Sequence, residues 1–269
     1  MCLVFVWRAP AADDGEAWEH ELAKRYRLVI ASNRDEILSR PADRLGRWSG
    51  TKVIGGRDRS GGGTWLGMTD GGRWSCILNV REPEQAPQDA PSRGALCASF
   101  LLGESTPEDA ARAAVRDGSR YAGFNAVFGA GGDAWHACNR GGGAVEMPRG
   151  VSVITNAAPG LDAAWPTAER GRRNFAEALR DAADDALVDA LFEVLADGTK
   201  LPLSPTRMPQ SVEDRLCYIC VPPVEVAPNR FWGTRTHTVF LVRADGGVTA
   251  VERSRLPGEA DVREAFSIF

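Results

Sequence analysis

The chain has 269 residues, 43% of them hydrophobic and 25% charged, with a net charge of −4. Such values describe an ordinary soluble globular protein, expected here as a single domain over residues 1–269. The basic residues are scattered, which excludes a nucleic-acid footprint, and no apolar run approaches the ~20 residues of a membrane helix. The opening apolar run is too short for a signal peptide and Arg8 interrupts it. A cytoplasmic location with six reduced cysteines is therefore expected.

Met1-Cys2-Leu3-Val4-Phe5-Val6 reads as a buried first strand. Ala9 to Leu22 reads as a polar connecting loop, and Tyr26 to Ala31 as a second strand that runs into Ser32-Asn33-Arg34-Asp35-Glu36. Alternation along a strand puts Asn33 and Asp35 on one face. The stretch Arg57 to Gly67 is glycine-rich. It lacks the Gly-Lys-Ser/Thr ending of a phosphate loop, so it reads as a tight connection or a place where backbone approaches a ligand. Trp65–Thr69 and Arg73–Val80 form a hairpin around Asp70-Gly71-Gly72, and Glu82 to Pro91 is a loop.

Arg93–Leu102 has helical spacing. A second helix starts at Thr106, with Pro107 in its first turn and Glu108 and Asp109 at its positive end, and runs to Asp117. Strands follow over 124–129, 134–139 and 151–156, then helices from Trp165 to Arg180 and from Asp184 to Leu195. Leu201 to Asp214 is a Pro- and Ser-rich loop, Leu216 to Val221 a strand, and Gly233–Val242 a long strand turning at Asp245-Gly246-Gly247 into Val248–Arg253. Hairpins at both ends with helices between them predict an α+β fold with largely antiparallel sheets.

Several strands end in polar residues. Cys2, Asn33 with Asp35, Asn79, Asn156 and Thr234-Arg235-Thr236 form a set that one rim of a sandwich would gather. Start methionines before small residues are commonly trimmed. Trimming would give Cys2 a free amine, of pKa about 7.7–8.0, as a base for its own thiol, about 8.5. Cys2 is then a candidate nucleophile, Asp35 a holder of its amine, and Asn79 and Asn156 donors to an oxyanion. Asn33, Arg34 and Arg235 are candidate substrate-binding residues, the arginines for a carboxylate, a phosphate or the thiolate. Taken alone, Cys2 also reads as one more core cysteine. The single Cys217-x-x-Cys220 pair and His237 read as packing residues. Trp48, Trp65, Trp74 and Trp165 line an apolar pocket or serve as core. No metal and no cofactor is expected.

Met1-Cys2, Asn33-Arg34-Asp35-Glu36 with Ser39-Arg40-Pro41, Gly62 to Gly67, Gly123-Phe124-Asn125, Thr155-Asn156-Ala157 and Gly233 to Thr236 together resemble the NRDE, or transport and Golgi organisation protein 2-like, family over nearly the whole length. The order Met-Cys, Asn-x-Asp, Leu-Asn, Thr-Asn is more distantly similar to choloylglycine hydrolases and penicillin V acylases. That resemblance implies a four-layer αββα sandwich of mainly antiparallel strands, of the N-terminal nucleophile hydrolase type. It also implies an amidase or thioesterase for a small acyl substrate, with Cys2, Asp35, Asn79 and Asn156 in the site. The arginine which that group carries before its Asn-x-Asp is Ser32 here, and alternation is expected to turn Arg34 away to the other face. The rival expectation is a non-catalytic carrier or chaperone for a hydrophobic anionic ligand such as haem or acyl-CoA. No nucleic-acid partner and no membrane span is expected.

Overall fold

The computed structural model describes residues 2–82, 89–159, 165–202, 213–214 and 217–268. The chain opens with β1 (Leu3–Arg8), α1 (Ala17–Ala23), β2 (Tyr26–Ile37), β3 (Ala42–Asp43), β4 (Val53–Gly55) and β5 (Arg57–Asp58). The hairpin β6 (Leu66–Thr69) and β7 (Trp74–Asn79) leads to α2 (Gly94–Leu102) and α3 (Pro107–Arg116). Then come β8 (Phe124–Ala130), β9 (Asp133–Cys138), β10 (Gly143–Glu146) and β11 (Gly150–Ile154), followed by α4 (Pro166–Asp181) and α5 (Leu187–Leu195). The last elements are β12 (Val224–Ala227), β13 (Arg230–Arg243), β14 (Gly247–Ser254) and β15 (Val262–Ser267). Among the described residues no helix is long and apolar enough to cross a membrane.

Two large sheets form, with every neighbouring pair antiparallel. The first runs β11-β1-β2-β13-β14-β15, with β12 added on β13; the second runs β10-β9-β8-β7-β6-β4. Strand alternation then sorts the side chains into layers. On β1, Leu3, Phe5 and Trp7 pack against α4 and α5, with Phe5 stacked on Phe175. Val4 and Val6 face the opposite way and meet Leu66, Met68, Cys76 and Leu78 of the second sheet. The far face of that sheet packs Phe124, Ala126 and Phe128 on α2 and α3. Three apolar layers separate four structural ones, which is the αββα sandwich.

Thr106 caps α3 as expected, its Oγ1 accepting from the Asp109 amide at 3.1 Å. The structure departs from the sequence reading in three places. The span from Ala9 to Leu22 is not all loop, because α1 begins within it. Its capping box uses Glu16 where Ser or Thr is usual, and Glu19 accepts from the buried Trp7 indole at 3.0 Å. Residues 217–221 are not a strand. Their backbone groups are taken individually: Ile219 O by Asn33, Val221 N by Thr234, and Cys220 N by Asp197 O. Leu216 and most of the 201–214 and 82–91 loops lie outside the described residues, as does Met1. The edge strands β10 and β15 went unread because no residue of either is fully buried, so neither carries a continuous apolar run. Of the two roles open to the tryptophans, core packing holds for Trp165 in the first helix layer, Trp48 in the second and Trp74 between the sheets, while Trp65 packs against the inter-sheet core and lines a cavity.

Candidate active site

Cys2 immediately precedes β1, which lies inside the first sheet between β11 and β2. That position gives the residue a rigid support on both sides. The backbone of Asp35 brackets the thiol: its N–H donates to Sγ at 3.4 Å and its carbonyl accepts from Sγ at 3.6 Å. Burial pushes the Cys2 thiol up to about 11, and the neighbouring Asp35 carboxylate adds to the rise.

A bulge places the next groups. Thr234 pairs with Asp35 but Thr236 pairs with Arg34, so Arg235 is the extra residue on β13. Thr234 therefore shares the Asp35 face of the sheet. Its hydroxyl donates to Asp35 Oδ1 at 2.6 Å and accepts from the Val221 amide at 2.7 Å. Burial raises the Asp35 pKa, and the Thr234 bond offsets part of that rise. The Arg235 guanidinium donates to the Arg40 carbonyl, so it braces the turn after β2.

The polar end of β2 splits between two layers. Asn33 faces the helices: its Nδ2 donates to Leu195 O and Ile219 O, both at 2.8 Å, and its Oδ1 meets His237 Nδ1 at 2.5 Å. Since the amide nitrogen is committed to two carbonyls, Oδ1 accepts and His237 Nδ1 carries the proton. Asn33 is thus a buried clamp that does not line the cleft. Arg34 does lie opposite Asn33, as alternation requires, but that side is the cleft side, shared with Ser32 and Cys2. The residue stacks on Trp65 at 3.8 Å and approaches Asp58 at 3.6 Å. Two positions along a strand restore the same face, so Arg34 and Ser32 share it.

The second sheet supplies the facing wall. Asn156 donates to Asn79 O at 2.6 Å and to Asn79 Oδ1 at 3.1 Å. With its oxygen occupied, the Asn79 amide is left with its N–H groups to offer. Asn156 is itself fixed by Asn125, whose Nδ2 donates to the carbonyls on either side of it, Thr155 O at 3.0 Å and Ala157 O at 2.8 Å. Asn125 Oδ1 accepts from His136 Nε2 at 3.0 Å.

A cavity of about 560 Å³ opens between the sheets at this rim, and Cys2, Arg34, Asp35, Trp65, Asn79 and Arg93 line it. Asn33, Asn156 and Arg235 do not line it. The glycine-rich loop is a tight connection at Gly63, where a Cβ would stand 2.2 Å from the Gly94 carbonyl carbon, and its Ser60, Gly61 and Thr64 line the same cavity. Its other end is organised by Asp58, which accepts from Ser60 N, Gly61 N and Arg40. Reading the sequence missed Arg93, Asp58 and the role of Asn125. Arg93 sits at the start of a helix with no strand-end signal to mark it, and Asn125 shows only as part of Gly123-Phe124-Asn125.

The sequence matches the family described as Transport and Golgi organisation 2 over residues 1–257. The chain belongs to that family. Relatives include the Transport and Golgi organization protein 2 homolog of Bos taurus, 33% identical over 95% of this chain and 94% of its own length. The Homo sapiens homolog is 30% identical over the same shares. Among solved structures, the chain is similar to the Caenorhabditis elegans N-acylethanolamine-hydrolyzing acid amidase ortholog, with 12% identity, a TM-score of 0.46, and coverage of 89% of this chain and 92% of that one. Within the Transport and Golgi organisation 2 family chain described here, Cys2, Asp35 and Asn79 converge on one cleft, while Asn156 stands behind Asn79.

Proposed function

We propose that this chain is an N-terminal cysteine hydrolase that cleaves an amide or thioester of a small acyl substrate. The observation that carries the reading is a thiol at the cleft wall, bracketed by Asp35 and faced by an asparagine amide that a second asparagine orients. A thiol pushed up to about 11 is protonated at neutral pH and needs a base. Removal of Met1 would place an amine of pKa about 7.7–8.0 on the same residue, with the Asp35 carboxylate to balance its charge.

In the proposed reaction the amine takes the thiol proton as sulfur attacks the carbonyl carbon. The carbonyl electron pair moves to oxygen, and the Asn79 amide donates to that oxyanion. The pair returns as the C–N or C–S bond breaks, and the amine hands its proton to the leaving nitrogen or sulfur. Water then attacks the S-acyl cysteine and loses its proton to the amine. Release of the acid restores the thiol.

The test uses p-nitrophenyl acetate and intact mass. The expected result is loss of Met1, an acetyl adduct located on Cys2, and loss of that adduct in Cys2→Ala. A retained Met1, or acetylation unaffected by Cys2→Ala, would overturn the reading. The raised thiol favours a second reading, a carrier for a hydrophobic anionic ligand in the same cleft. That reading predicts ligand binding that Cys2→Ala leaves intact.

A further inference from the structure

The charges around the cleft pair off, with one left over. Asp58 is shared by Arg40, at 2.8 Å, and Arg34, at 3.6 Å. Glu36 lies 3.6 Å from Arg40 and accepts from the Ile37 amide. The Asp35 carboxyl is held by Thr234. Glu82, the next acid along, is committed to Arg140 and to the Gly123 amide. Arg93 has no such partner. Among the described residues its one hydrogen bond is from Nη1 to the Gly123 carbonyl at 2.9 Å, which leaves most of a five-donor guanidinium unused.

That guanidinium is half-buried on the cleft wall, and burial lowers its pKa, with charge at Cys2 and Glu36 acting in the opposite direction. A cation taken partly out of water without an acid partner is costly. The backbone that carries it is held in place: the Gly61–Gly63 loop packs against Ser92 and Gly94 so closely that a Cβ at Gly61 would stand 2.6 Å from Ser92 Oγ.

We propose that Arg93 is a specificity residue that binds a carboxylate on the substrate, so that the natural substrate is an acyl amide or thioester bearing a carboxylate near the scissile carbonyl. This rests on the hydrolase reading above. A planar guanidinium fits a carboxylate with two parallel bonds. One spare positive charge matches a single negative one. A phosphate dianion would bring a second charge beside Asp35 and Glu36 with nothing to compensate it.

The test compares two alkylators of nearly equal size, anionic iodoacetate and neutral iodoacetamide, on the Met1-processed protein, reading adduct formation at Cys2 by peptide mass. The ratio of the two rates is the measure. Arg93→Gln is expected to lower the iodoacetate-to-iodoacetamide ratio by about tenfold or more, as loss of a charge-assisted bond implies, and Arg93→Lys to recover part of it. Acetate, a single carboxylate, should protect Cys2 from iodoacetamide in the wild type better than inorganic phosphate does. Brisk labelling by both reagents with a ratio unchanged in Arg93→Gln would overturn the carboxylate site and leave the hydrolase reading standing. Protection by phosphate in place of acetate would also overturn it. A Cys2 that neither reagent labels would sink both.

Discussion

The two sheets carry the same small device and use it for different ends. In the first sheet, Asn33 donates to two backbone carbonyls, Leu195 O and Ile219 O, and accepts from His237. In the second, Asn125 donates to Thr155 O and Ala157 O and accepts from His136. The first clamp is fully buried and ties β2 to the end of α5 and to the irregular 217–221 segment. The second lies nearer the surface and ties β8 to the short stretch that holds Asn156 against Asn79. One asparagine fastens the helix layer; the other fastens the cleft. Residue type alone does not separate scaffold from site, because both clamps join an asparagine to two carbonyls and a histidine, and they differ in which carbonyls are held and in the imidazole nitrogen that donates, Nδ1 of His237 against Nε2 of His136.

That contrast can be broken most forcefully at Asn33. Asn33→Ala leaves two buried carbonyls and the His237 N–H without partners, and is expected to cost about 4 kcal/mol in stability, at 1–3 kcal/mol for each group left unsatisfied. Urea unfolding at constant pH measures it. A loss below about 1 kcal/mol would mean that the layer is not fastened there.

Acid sharpens the difference between the two histidines. Burial, helped by Arg255 and Arg253, lowers His237 to about 3, and burial lowers His136 to about 4. Both imidazoles titrate near 6.5 in the unfolded chain. Between those limits the unfolded chain binds more protons, so the stability that neutral imidazoles provide is full above pH 6.5 and is lost as pH falls toward 3. Each fully differential proton contributes a slope of about 1.4 kcal/mol per pH unit. His237→Asn should flatten the acid limb more than His136→Asn; equal limbs would erase the distinction between a deep clamp and a shallow one.

The smallest stability effect is expected at Asn125. Asn125→Ala should lose about 3 kcal/mol, the low end for three groups at a partly exposed clamp, yet slow acetylation of Cys2 by p-nitrophenyl acetate about tenfold, since it frees the segment that orients an oxyanion donor. Unchanged acetylation in a folded Asn125→Ala variant would show that the Asn156–Asn79 pair orients itself.

What the sequence determined follows from patterns that are local. Apolar runs within 1–6, 26–31, 73–80 and 233–242 indicated the central strands, because burial on both faces demands continuous apolar runs. Thr106-Pro107 placed a helix start, and the run of strands ending in Asn, Asp or Cys indicated one polar rim. Only the tertiary structure decided which face of each strand meets that rim. The face holding Asn33 and the face holding Arg34 are equally polar in sequence, and they part company because one sheet face is covered by helices and the other by a second sheet. The bulge at Arg235 likewise has no sequence signal, yet it sends Thr234 to Asp35 and turns Arg235 to the Arg40 carbonyl. Arg93 came into view last, since an unpaired charge is defined by what surrounds it, and the acids that leave it unpaired are contributed by segments distant in the chain.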